Sequence, residues 1–113
     1  MSTITTHVLD TSLGVPAPGI EVELHAWGAG EWSTIARAKT DADGRVREFA
    51  SAQHAIRGGT YRMVFLTAPY FAERGVESFY PSVQITFEIT DEGRHYHVPL
   101  LLAPFGYSTY RGS

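Results

Sequence analysis

Val83-Gln84-Ile85-Thr86-Phe87-Glu88-Ile89 alternates apolar and polar residues without a break. Successive side chains of an extended chain leave opposite faces of the backbone, so a period of two describes a strand with one face in a core and one in water. Ile20-Glu21-Val22-Glu23-Leu24-His25-Ala26 repeats the pattern. Tyr61 to Leu66 and His95 to Leu102 carry the β-branched, aromatic and large aliphatic residues of further strands. Ile4 to Leu9, Ser33 to Lys39, Arg45 to Phe49 and Tyr107 to Tyr110 complete a set of about eight. Turn chemistry separates them at Pro16-Ala17-Pro18-Gly19, Gly28-Ala29-Gly30, Asp41-Ala42-Asp43-Gly44, Gly58-Gly59 and Asp91-Glu92-Gly93. Turns recurring every ten residues or so predict an antiparallel sandwich or barrel, an all-β fold. One segment breaks the pattern. Thr67 to Gly75 has a candidate Thr cap, an early Pro and a closing Gly, which predicts a short helix.

A chain of 113 residues accommodates one core, so residues 1–113 are expected to form a single domain. Apolar residues make up 43% and charged residues 19%, a globular mixture rather than a disordered one. The net charge of −3 and nine scattered basic residues, with Lys39 the only lysine, leave no footprint for nucleic acid. Cysteine is absent, which excludes disulfides and thiolate catalysis. The opening Met1 to Thr6 has neither a basic nor an apolar leader segment, and no apolar run reaches the ~20 residues of a membrane span. No membrane partner and a cytoplasmic location are therefore expected.

Several residues carry more chemistry than a sandwich requires. In His95-Tyr96-His97-Val98-Pro99-Leu100-Leu101-Leu102 the two histidines share a face, while Tyr96, Val98, Leu100 and Leu102 form the opposite, apolar one. A His-x-His pair can bind zinc, but no third ligand of obvious spacing accompanies it, so no metal is expected. His7 shares its face with Thr5 and Leu9. Thr40 to Val46 resembles a calcium loop only superficially, lacking the closing Glu and flanking helices; it reads as a turn that delivers Arg45 to the next strand. His25 and His54 read as ordinary solvated residues, and His95 as surface or rim. The ending, Tyr107-Ser108-Thr109-Tyr110-Arg111-Gly112-Ser113, is richer in aromatic and hydroxyl groups than a solvated tail needs; packed tyrosines on an edge strand are the plainer reading. No dinucleotide or phosphate-loop motif occurs, so no cofactor is expected.

These motifs, taken in order, resemble the 5-hydroxyisourate hydrolase family. The residues that carry the resemblance are Thr6-His7-Val8-Leu9-Asp10, Gly14-Val15-Pro16-Ala17, Asp43-Gly44-Arg45, Phe79-Tyr80-Pro81, His95 to Leu102 and the terminal Tyr110-Arg111-Gly112-Ser113. They span essentially the whole chain, and the terminal tetrad is the most specific. The resemblance implies a transthyretin-like sandwich of two four-stranded sheets with one short helix. It also implies a homotetramer, a dimer of dimers whose inner sheets line a channel. The implied catalytic residues are His7, Arg45 and His97, with His7, Arg45, Tyr110 and Ser113 on the substrate. The implied reaction is hydrolysis of 5-hydroxyisourate, a small-molecule substrate, in urate breakdown.

That chemistry suits the residue types. Adding water to a cyclic amide-like bond needs a base for the water, positive charge for the developing oxyanion and a proton for the leaving nitrogen. Histidine titrates near neutral pH and serves either proton step. Arginine stays charged and offers a planar fork of donors. Which histidine is the base is open at this level. Ser113 or its terminal carboxylate would orient a histidine, and Tyr110 would touch substrate. Two other readings exist: a transthyretin-like carrier that holds a small aromatic ligand unchanged, and a monomeric β-sandwich binding module. Neither calls for two histidines, an arginine and this ending on one site.

Overall fold

The computed structural model describes residues 2–49 and 56–113; His54 lies outside them. In chain order the elements are β1 (Thr3–Asp10), β2 (Val15–Pro16), β3 (Glu21–Gly28), β4 (Glu31–Lys39), β5 (Arg45–Val46), β6 (Gly59–Leu66), α1 (Ala68–Glu73), β7 (Val83–Ile89), β8 (His95–Ala103) and β9 (Gly106–Thr109). One sheet has the order β4-β3-β6-β7, all antiparallel. The other runs β2-β1-β8-β9, with β5 also paired to β1. The two-residue strands β5 and β2 take consecutive stretches of one edge of β1, at Thr6-His7 and Leu9-Asp10, so each sheet is four strands wide.

The alternating residues meet between the sheets. Ile4, Val8, Tyr96, Val98, Leu100 and Leu102 pack from one side against Val22, Leu24, Met63, Phe65, Val83, Ile85 and Ile89 from the other. Removing these faces from water is the main drive for closing the sandwich. No helix among the described residues is long and apolar enough to cross a membrane.

Three expectations change. First, β1 and β8 pair in parallel, from Thr3↔His95 to Asp10↔Leu102, so the fold is not purely antiparallel. The two strands lie at opposite ends of the chain, and no tight turn dictates their relative direction. Second, the strand expected from Arg45 to Phe49 pairs only at Arg45–Val46. Third, Thr67 occupies the cap position of α1 but its side chain makes no capping hydrogen bond. The helix is secured instead by burial of Tyr70 and Phe71 and by the Tyr70 hydroxyl, which donates to Asp10 Oδ2 at 2.8 Å. Gly75, at φ +69°, closes the helix as the sequence predicts, in a left-handed conformation open to glycine.

Candidate active site

Parallel pairing of β1 with β8 places Thr3, Thr5 and His7 beside His95, His97 and Pro99 on the face opposite the core. Antiparallel pairing joins His7 to Arg45 across β1 and β5. The turn before β5 delivers that arginine. Asp41 Oδ1 accepts from the backbone N–H groups of Asp43 and Arg45 at 2.9 Å each, and Gly44 N–H donates to the Asp41 carbonyl. Gly44 has φ +74°, and a Cβ there would collide with the Val8 carbonyl oxygen, so no other residue fits between turn and β1. Arg47 pairs with Asp41 and Asp43, whereas Arg45, half-buried, makes no ion pair among the described residues.

The last residues run back along the edge of β8 away from β1. β9 pairs antiparallel with β8 from Ala103↔Gly106 to Leu100↔Thr109. The ladder skips Pro99, which has no N–H to donate, and resumes in the same register at His97↔Gly112, where Gly112 N–H donates to the His97 carbonyl at 2.8 Å. A Cβ on Gly112 would lie 2.5 Å from His97 Cδ2, so glycine is required for the close approach to the ring. The Arg111 guanidinium lies 4.5 Å from the centre of the Tyr96 ring, which anchors the tail from the other side. Ser113 thereby reaches a pocket of about 230 Å³ lined by Thr5, Thr6, Arg45, Val46, Arg47, His95, His97 and Ser113. A larger cleft of about 400 Å³ beside α1, lined among others by Glu21, Lys39, Tyr70 and Glu73, contains no histidine. Chemistry rather than volume selects the smaller pocket.

Hydrogen bonds orient the rings. Thr5 Oγ1 lies 2.7 Å from His97 Nδ1, leaving His97 Nε2 without a partner among the described residues. His7 Nε2 lies 2.9 Å from the Asp43 carbonyl oxygen. A carbonyl only accepts, so His7 carries its proton on Nε2 and keeps Nδ1 free when neutral. Burial holds the His97 imidazole below its ordinary pKa, and the positive charges of Arg45, His95 and His7 push it the same way. His97 is thus uncharged at neutral pH, as a base must be.

Of the residues singled out in the sequence, Arg45, His97 and Ser113 share the pocket, and His7 stands beside them as Arg45's cross-strand partner. Tyr110 does not line this pocket within one chain. It is 58% exposed and borders a separate groove with Glu88, Tyr96 and Arg111. His95 is exposed at the pocket rim, as expected. His25 is not solvated: it is only 8% exposed. It keeps the face of Glu21 and Glu23, but its Nε2 meets Glu23 at 2.9 Å and its Nδ1 accepts from Arg62 Nε at 2.8 Å. The Arg62 guanidinium in turn lies over the Trp32 ring at 4.4 Å, so long side chains cover the imidazole. The sequence reading missed Thr5 and Arg47. Each lies two residues from a singled-out residue on its strand or just beyond it, and that spacing was the available signal.

Comparison with known proteins matches the same span. The model of the HIUase/Transthyretin family matches residues 4–112. The 5-hydroxyisourate hydrolase of Mus musculus is 46% identical over 114 residues, covering 99% of this chain and 96% of the mouse protein. The solved structure of Klebsiella pneumoniae 5-hydroxyisourate hydrolase superposes with a TM-score of 0.86 at 42% identity, covering 98% of this chain and 99% of that one. Sea bream transthyretin in complex with thyroxine gives a TM-score of 0.90 at 32% identity, covering 96% and 93%. The backbone therefore matches transthyretin and hydrolase alike, while sequence identity is higher to the hydrolase. On the family match and the relatives together, this chain belongs to the HIUase/Transthyretin family.

Proposed function

We propose that the chain hydrolyses 5-hydroxyisourate to 2-oxo-4-hydroxy-4-carboxy-5-ureidoimidazoline, a step of urate breakdown. The observation that carries the reading is the pinning of Gly112 on His97, which brings Ser113 into one pocket with Arg45 and His97. Transthyretin-like folding alone does not require that arrangement. His97 Nε2 takes a proton from water. The water oxygen adds to the ring carbonyl carbon, and the oxyanion that forms faces the Arg45 guanidinium. The C–N bond then breaks, and the departing nitrogen receives the proton that His97 took from water, while His7 contacts the substrate. The acid product remains ionised. Base catalysis of this kind contributes roughly 10²- to 10⁴-fold, and a well-placed cation adds about 3 kcal/mol. Ser113 orients the substrate or a ring through its hydroxyl.

The reading includes a homotetramer, a dimer of dimers. Phe79, Phe105 and Tyr110 are 70%, 65% and 58% exposed, more aromatic surface than an isolated domain usually leaves in water. In the tetramer the pocket faces a partner, and Tyr110 meets substrate bound by another copy. A solution mass equal to one chain would remove this part of the proposal. A cytoplasmic location accompanies the reading, and cell fractionation tests it.

The activity is tested by generating hydroxyisourate from urate with urate oxidase and following the decay of its ultraviolet absorbance. The chain is expected to accelerate the decay, and His97→Ala, His7→Ala and Arg45→Gln to lose most of the acceleration while keeping the wild-type assembly. Decay at the spontaneous rate, with an aromatic ligand bound intact, would establish the carrier reading instead.

A further inference from the structure

Four groups on one face form an unbroken line. Thr3 Oγ1 lies 2.7 Å from His95 Nδ1, His95 Nε2 lies 3.0 Å from Thr5 Oγ1, and Thr5 Oγ1 lies 2.7 Å from His97 Nδ1. The two imidazoles are nearly parallel, 15° apart, with centres separated by 6.4 Å. The register produces the line, because Thr3↔His95 and Thr5↔His97 are consecutive same-face pairs of the β1–β8 ladder. His97 is half-buried and lines the pocket; His95 and Thr3 are exposed.

We propose that Thr5 and His95 act with His97 as a proton relay, moving positive charge from the pocket to the exposed His95 ring when His97 takes a proton from water. The inference rests on the hydrolase reading above and names positioning residues within it.

The Thr5 hydroxyl has a single proton. With both rings neutral it can donate to only one imidazole, and it must accept an N–H from the other. In the setting ready for catalysis, His97 Nδ1–H donates to Thr5 Oγ1, Thr5 O–H donates to His95 Nε2, and His95 Nδ1–H donates to Thr3 Oγ1. His97 Nε2 then presents its lone pair to the pocket. When Nε2 gains a proton, the Nδ1 proton crosses to Thr5 Oγ1 as the Thr5 proton crosses to His95 Nε2. His97 ends neutral with its proton on Nε2, Thr5 is again a hydroxyl, and His95 carries the charge. One proton enters at His97 and one unit of charge appears on His95, so the transfer balances without a co-reactant. A reverse shift returns the proton for delivery to the leaving nitrogen.

The surroundings give the relay a direction. Arg45 and Arg47 line the pocket, and His7 stands beside Arg45; Asp41 and Asp43 pair with Arg47, but Arg45 has no ion-pair partner among the described residues, so a cation on His97 is opposed from the β5 segment. Charge on His95 is met by water.

The test compares Thr5→Val, Thr5→Ser and His95→Gln in the full chain. Valine has threonine's shape without the hydroxyl, and glutamine can hydrogen-bond at the Nε2 position but cannot hold the charge. Thr5→Val and His95→Gln are each expected to lower kcat about 10-fold or more, with KM changed less than threefold, and to shift the acid limb of the pH profile. Thr5→Ser is expected to restore kcat to within about threefold. Histidine ¹⁵N NMR reads the relay without turnover: in the wild type both His97 and His95 should carry their proton on Nδ1, and in Thr5→Val the His97 tautomer preference should change. If Thr5→Val destabilises the chain, His95→Gln and the wild-type tautomers still decide. Wild-type kcat and tautomers in both variants would overturn the relay. Failure of the wild type to hydrolyse hydroxyisourate would overturn the hydrolase reading, and the ¹⁵N tautomer comparison of wild type and Thr5→Val would then judge the proton coupling by itself.

Discussion

Gly112→Ala isolates the contact on which the pocket is built. The new Cβ would stand 2.5 Å from His97 Cδ2, 3.2 Å from Cγ and 3.4 Å from Cβ. Carbon atoms rest at about 3.5–4.0 Å, so ring and tail must separate by about 1 Å. The ring cannot retreat freely, since Thr5 holds Nδ1 at 2.7 Å. Either the imidazole tilts away from its productive position or the tail lifts and withdraws Ser113. A displacement of ~1 Å at a reacting group costs on the order of 10²-fold in rate. The lost backbone bond from Gly112 to His97 is worth only about 1 kcal/mol. Gly112→Ala should therefore lose about 100-fold in kcat/KM in the absorbance assay while Tm falls only a few degrees, roughly 3–6 °C. Gly28→Ala serves as the control, because its Cβ meets nothing within 4 Å. A Gly112→Ala enzyme within threefold of wild type, in the same assembly, would refute the claim that the terminus must lie on His97.

Arg45→Gln should lower kcat/KM by about 10²- to 10³-fold with little change in Tm, because Arg45 makes no ion pair among the described residues; a loss below tenfold would contradict its role at the oxyanion. The acid limb of kcat/KM should lie below the ordinary histidine midpoint of about 6.5, since burial and then Arg45, His95 and His7 disfavour protonated His97. Arg45→Gln removes one of those opposing charges and should move the limb upward; a limb that stays in place or falls would show that another group titrates. Tyr70→Phe removes the donor to Asp10 Oδ2 and should destabilise the fold by about 1.5–3 kcal/mol near neutral pH, measured by denaturant unfolding. Burial raises the pKa of Asp10, but hydrogen bonds from Ser12, Tyr70 and Leu13 together bring it below the ordinary value, so ionised Asp10 stabilises the fold above the unfolded carboxylate pKa. The Tyr70→Phe deficit should shrink as pH falls through the lowered Asp10 value; a pH-independent deficit would remove this electrostatic account. Gly44→Ala combines a left-handed backbone with a collision on the Val8 carbonyl and should cost at least about 2 kcal/mol; unchanged stability would mean that the β5 turn relaxes without strain.

Local pattern reached far in this chain. The alternation of Val83 to Ile89 and of Val22 and Leu24 within β3 follows from a period set by covalent geometry, and the structure buries those apolar residues, Phe87 only in part. The glycine and proline punctuation marked α1 because proline fixes its own φ and glycine alone adopts a left-handed φ without strain. Motif order brought His7, Arg45, His97 and Ser113 to notice. Exposure was less legible. Reading His25 as solvated failed because its cover comes from Arg62 of β6 and Trp32 of β4, and a strand's own period says nothing of what neighbouring strands lay over it. Tyr110 was grouped with the pocket residues by its place in the terminal tetrad, yet in one chain it borders another groove.

Sequence by itself determined the long strands, their core faces, the short helix and the residue types available for proton transfer and anion contact. Those are properties of a few neighbouring residues. Tertiary structure alone decided that β1 lies parallel to β8, that Thr5 meets His97, and that Gly112 rests on its ring. These contacts join residues about ninety positions apart, or across the strand reversal between β8 and β9. Such pairings are chosen by how two whole sheets bury their apolar faces together, and no local period encodes that choice.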